Sequence, residues 1–100
     1  MQWAIIARDD RDSDALARRM RARDAHLSYT QCHQQHMVMG VATLDDRGEM
    51  NGSIMIVDFP TREMLDQWLA QEPYRLEGVW QEITIIPCAI GPSFLKQSVL

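Results

Sequence analysis

His26 stands in the run Arg23-Asp24-Ala25-His26-Leu27-Ser28-Tyr29, with Tyr29, Thr30 and His33 three, four and seven positions on. On a helix those spacings place all four side chains on one face. Glu72 lies far downstream, directly before Pro73-Tyr74. An imidazole changes charge near neutral pH, and a carboxylate beside it fixes the tautomer and raises the basicity of the ring. Such a pair moves protons as a general acid or base. His26 and Glu72 are therefore the candidate catalytic residues, with Ser28, Tyr29 and Tyr74 as candidate substrate contacts. Each also has a plain structural reading: an exposed histidine, a helix-end acid, a phenol packed under a helix end.

Other chemistries find less support. His26, Cys32, His33 and His36 are possible metal ligands, but no H-E-x-x-H or C-x-x-C spacing occurs, and these residues straddle more than one helix face. Neither a metal site nor a cofactor is expected. Haem or oxygen chemistry stands as a weaker alternative, which a colourless protein would oppose. There is no glycine-rich phosphate loop, no G-x-S-x-G and no dinucleotide fingerprint. Trp3, Trp68 and Trp80 fall inside apolar runs and read as core or interface residues.

A net charge of −4 and a pI near 5.2 argue against a grip on nucleic acid. Arg18, Arg19, Arg21 and Arg23 read as a solvated helix face. No run of about eighteen apolar residues suggests a membrane span, and the first residues run directly into a strand pattern with no leader. Cys32 and Cys88, without paired spacing, read as reduced thiols of a cytoplasmic protein.

The elements that must position the site follow from apolar periodicity. Gln2 to Arg8 reads as a buried strand, ended by Asp9, Asp10, Arg11 and Asp12. Asp12 or Ser13 is the expected helix cap. Asp14 to His36 holds no Gly or Pro, and Leu16, Met20 and Leu27 recur near helical spacing, with a bend or restart expected at Asp24. Met37 to Leu44 and Gly52 to Phe59 form a hairpin across Asp45-Asp46-Arg47-Gly48. Thr61 caps a second helix, whose buried face is Met64, Leu65, Trp68 and Leu69 and which Pro73 closes. Val79 to Ile86 is the last strand, ended by Pro87.

Strand, helix, strand, strand, helix, strand is the α+β, ferredoxin-like βαββαβ order, a four-stranded antiparallel sheet with two helices on one face. The domain spans residues 1–88 and leaves 89–100 as a C-terminal tail whose Phe94, Leu95, Val99 and Leu100 are expected to pack on something. Both sheet faces carry apolar side chains, and two helices cover one of them. The uncovered face predicts a homodimer formed sheet to sheet.

On these residues the chain resembles the YciI-like family of YCII-related domains, from about Met1 to about Pro87. The resemblance rests on Trp3-Ala4-Ile5-Ile6-Ala7, Arg23-x-Ala25-His26-Leu27, Gly40, Gly52-Ser53-Ile54, Phe59, Trp68-Leu69, Pro73-Tyr74, Gly78-Val79 and Ile83-x-Ile85-x-Pro87, in that order. It implies a dimeric α+β barrel and an active site built on a histidine and an aspartate. The histidine falls on His26, while the aspartate falls on Glu72, one methylene longer. Asp24 stands where the family often has proline. Some relatives are implicated in dehydrochlorination or isomerisation of aromatic breakdown products. The resemblance thus implies a cofactor-free lyase or isomerase acting on a small organic acid; a non-catalytic dimeric module that binds a small ligand or a protein is the alternative.

Overall fold

The computed structural model describes residues 1–94. Four strands, β1 (Gln2–Asp9), β2 (Met37–Leu44), β3 (Met50–Asp58) and β4 (Trp80–Cys88), form one antiparallel sheet in the order β2-β3-β1-β4. Three helices are interleaved with them: α1 (Ala15–Cys32), α2 (Arg62–Ala70) and the short α3 (Pro73–Leu76). This is the ferredoxin-like α+β arrangement expected from the sequence.

Alternation along the central strands decides which face is covered. Trp3, Ile5 and Ala7 of β1 and Met55 and Val57 of β3 are buried beneath Ala22, Leu65, Trp68, Leu69 and Tyr74 of the helices. Full burial of each large apolar side chain contributes about 1.5–3 kcal/mol. On the opposite face, Ile86, Ala4, Ile56 and Met39 form one cross-strand row, and Thr84, Ile6, Ile54 and Val41 the next. Its outer members stay open: Met39, Val41 and Ile86 are 51%, 46% and 45% exposed.

Local chemistry sets the connections. The Asp45 carboxylate accepts from the Arg47 and Glu49 amides at 2.8 and 3.0 Å, and Gly48 takes the positive φ of 79° that closes the hairpin. Gly52 has another reason to be glycine. A Cβ there would lie 2.6 Å from the Ala7 carbonyl and 2.7 Å from Thr43 Oγ1. The Thr61 hydroxyl caps α2 by accepting from the Met64 amide at 3.2 Å, as expected.

Several expectations need correction. α1 runs unbroken through Asp24, because an aspartate, unlike proline, keeps the helical N–H. Its N-cap is Asp14, without a side-chain cap bond; Asp12 instead pairs with Arg18 at 2.8 Å. Met20 and Leu27 are exposed, at 49% and 44%, and the stripe turned inward is Arg19, Ala22, His26, Tyr29 and His33. Pro73 does not merely end α2. It is the first residue of α3, where its missing N–H costs nothing. Pro87 lies inside β4, an edge strand that needs ladder partners on one side only.

After β4, the Ile90 amide donates to Gln2 Oε1 at 3.0 Å, and Pro92–Phe94 forms a 3-10 turn with Phe94 75% exposed. Within the described residues of one chain Phe94 is not covered, and Leu95, Val99 and Leu100 lie outside the described residues. No helix among the described residues is long and apolar enough to cross a membrane.

Candidate active site

α2 is closed by its C-cap Gln71, and the chain turns at once into α3 with Glu72 as its N-cap. One carboxylate oxygen of Glu72, Oε2, accepts from the Tyr74 amide at 3.2 Å, which holds the side chain against the helix start. The other, Oε1, lies 2.6 Å from His26 Nδ1 on α1. Glu72 is fully buried and the His26 side chain is 13% exposed. Since a carboxylate oxygen only accepts, Nδ1 carries the proton and donates it, leaving Nε2 as the free ring nitrogen. The pair expected from the sequence thus meets across helices 46 residues apart.

Tyr74 joins them. Its ring stacks on the imidazole with centroids 3.9 Å apart and planes 8° from parallel. The Arg19 guanidinium carbon sits 4.7 Å from the centre of the same phenol ring. Arg19 and His26 are seven residues apart on α1, about 10 Å along its axis, and Tyr74 packs against both. Burial pushes the Tyr74 phenol above its ordinary 10.0, with the Arg19 and Arg23 charges opposing the shift.

Beneath the ring lies a second polar cluster. Arg19 Nη1 donates to both Asp9 oxygens at 3.0 Å, its Nη2 donates to Ser53 Oγ at 2.9 Å, and Trp80 Nε1 donates to the same hydroxyl at 3.2 Å. Arg19 is only 3% exposed and Asp9 7%. Burial pushes the Asp9 carboxyl above its ordinary 3.8, against the hydrogen bonds and charge of Arg19. α1 has few apolar residues to bury, and this ion pair, the His26–Glu72 bond and a 2.7 Å bond from the Tyr29 hydroxyl to the Trp68 carbonyl tie it down instead.

A cavity of about 350 Å³ opens between α1 and β2, within the size range of small-molecule sites. From α1 it is lined by Arg19, Arg23, His26, Leu27 and Thr30, with Tyr74 beside them; the facing wall includes Met37, Val38 and Gly40 of β2 and Met55 of β3. Two expected contacts are absent. Ser28 is exposed on α1 away from the cavity, and Tyr29 points at α2 through its hydroxyl, on the inward stripe of the helix. Burial also pushes the Tyr29 phenol above 10.0. His33 and His36 turn their Nδ1 atoms to the Tyr29 and Asp58 carbonyls, and no metal-binding group of three or more ligands occurs among the described residues.

The sequence reads Arg19 and Arg23 together with Arg18 and Arg21 as a solvated helix face, but Arg19 and Arg23 line the cavity while Arg18 and Arg21 lie on the surface, paired with Asp12 and Asp14. The signal was present in the spacing, since positions 19, 23, 26, 27 and 30 form one helical stripe. It ran upstream of His26 as well as downstream.

A βαββαβ sheet carrying a buried carboxylate–histidine pair beside an apolar cavity defines a small α+β protein with its candidate site beneath the helices. The model of the YCII-related domain matches residues 1–89, and the chain belongs to that family. It is 28% identical over 95 residues to Protein YciI of Escherichia coli O6:H1, covering 87% of this chain and 95% of that protein. It is 30% identical over 96 residues to the Xenovulene A biosynthesis cluster protein asL2 of Sarocladium schorii, covering 86% and 83%. Among solved structures, the fold is similar to that of the 5-chloro-2-hydroxyhydroquinone dehydrochlorinase TftG from Burkholderia phenoliruptrix AC1100, bound to 2,5-dihydroxybenzoquinone. The TM-score is 0.81 at 21% identity, covering 93% of this chain and 98% of TftG.

Proposed function

We propose that this chain is a cofactor-free lyase or isomerase that moves a proton on a small organic acid, with His26 as general base or acid and Glu72 as its orienting partner. The observation that carries this reading is the 2.6 Å contact between buried Glu72 and His26 at the wall of the cavity. Glu72 holds the proton on Nδ1, so the neutral ring keeps a lone pair on Nε2 to take a proton from carbon or oxygen. If the reaction is dehydrochlorination, as the name of TftG suggests, the base takes a proton while chloride departs. Glu72, one methylene longer than the expected aspartate, reaches His26 at 2.6 Å while it also caps α3.

The assembly belongs to the same reading. The open sheet face, with Met39, Val41, Ile54, Ile56 and Ile86, is the surface through which two copies would pair, and residues 1–88 form the functional unit. Free Cys32 and Cys88 fit a reducing, cytoplasmic setting.

The alternative is a module that binds without turning over, in which the His26–Glu72 bond serves only to dock α1 on α3. It is favoured by one observation: both Glu72 oxygens are already engaged in structural bonds. A screen of chlorinated hydroquinones and conjugated acids separates the two. In the enzyme reading, His26→Ala abolishes turnover, by about 100-fold or more, with the fold retained by circular dichroism. Glu72→Gln lowers turnover and shifts the imidazole ¹⁵N signals away from the Nδ1–H tautomer. Loss of fold without any turnover in the wild type favours the binding module.

A further inference from the structure

The charge of the cavity wall says what kind of molecule it accepts. Its charged lining residues are Arg19 and Arg23, and no carboxylate lines it among the described residues. Arg19 is already neutralised by its two bonds to Asp9 and spends its remaining amino group on Ser53. Arg18 and Arg21 are held by Asp12 and Asp14. Arg23 is different. It has no hydrogen bond or ion pair among the described residues, it is exposed, and it stands one turn before His26 on the same stripe of α1.

We propose that Arg23 anchors the anionic group of the molecule this cavity takes, so that the site selects singly charged acids of about one-ring size over neutral isosteres. The planar fork of a guanidinium matches a carboxylate or a delocalised enolate, and its positive charge is otherwise uncompensated here. The remainder of the wall is largely apolar: Met37, Val38 and Met55 lie opposite α1 across the cavity, and the adaptable methionine side chains suit a flat hydrocarbon body. The acid therefore lies with its anionic end toward Arg23 and its body against β2, beside the His26 ring. The influence of the Arg23 charge on the Tyr74 phenol places the guanidinium within electrostatic reach of the stacked rings.

This inference rests on the reading of the cavity as a small-molecule site, and the test separates the two. Benzoate and its uncharged isostere benzamide are titrated into the full chain and into Arg23→Gln and Arg23→Lys, following the His26 ring protons and the methionine methyls by NMR. Wild type is expected to prefer benzoate. Arg23→Gln should weaken benzoate about 10- to 100-fold, as loss of a charge-assisted bond does, and leave benzamide unchanged, while Arg23→Lys restores part of the difference. Equal binding of both probes to wild type, or an undiminished preference in Arg23→Gln, overturns the role of Arg23 while sparing the site. If neither probe moves any cavity resonance, the small-molecule reading falls and the proposal with it.

Discussion

Tyr74 joins the two polar clusters of the candidate site through a single buried side chain. It is 1% exposed, it presents one ring to an imidazole and to a guanidinium, and its amide is capped by the carboxylate that orients that imidazole. Because burial raises the phenol above 10.0, the folded protein keeps a proton that the unfolded chain releases as pH climbs. The folded state then binds more protons, so stability is unaffected below that value and falls above it. Urea midpoints should decline as pH rises above about 10, and the decline should be shallower in Tyr74→Phe. Tyr29, raised in the same direction, supplies the remaining slope. An equal decline in the variant would mean that the Tyr74 phenol is not held neutral by the fold.

At the scale of elements, α1 is the unusual member. Its inward stripe is polar or small, and it is fixed to the sheet by Asp9–Arg19–Ser53 and to α2 and α3 by Tyr29 and His26. Docking by hydrogen bonds gives direction where apolar packing would give only area, and direction is what a histidine aimed at a carboxylate requires. The dependence on a buried ion pair has a testable consequence. Arg19→Met leaves the Asp9 carboxylate buried without a partner and should cost about 3–5 kcal/mol in urea unfolding, whereas adding Asp9→Leu should recover most of that loss. A double variant no more stable than Arg19→Met would show that the charge of Asp9 is not the source of the cost. The strands behave conventionally, and their positions were legible: β2 runs from Met37 to Leu44, as its apolar run suggested. α1 was legible as a helix from its length without Gly or Pro, but its inward face was not. The recurrence of Leu16, Met20 and Leu27 identifies the helix but not its inward side, because the partners of Arg19 and His26 lie 10 and 46 positions away along the chain.

For the whole molecule, the open sheet face is the feature that the fold of one chain leaves unsatisfied. Rows such as Ile86-Ala4-Ile56-Met39 run across all four strands, and no helix among the described residues lies above them. A contiguous apolar surface of this kind marks an interaction site in soluble proteins. The proposed homodimer predicts a two-fold mass in sedimentation at micromolar concentration. Ile56→Asp, which places a charge in the centre of that face, should shift the protein to monomer while the His26–Glu72 pair on the other side of the sheet persists. A wild-type monomer under those conditions would remove the dimer from the reading.

The order of elements, the alternation that gives the sheet two apolar faces, and the helix that carries His26 were all determined by local pattern, because strand and helix periods are written in neighbouring residues. The candidate pair was within reach because Glu72 precedes the Pro73-Tyr74 start of α3, a position that local capping rules help to fix. Only the tertiary structure decided that Arg19 is buried rather than solvated, that Tyr29 bonds to Trp68 rather than lining the cavity, and that Arg23 faces that cavity without a partner among the described residues. Each of these depends on which residues from distant segments arrive beside it. No period in a single sequence encodes that.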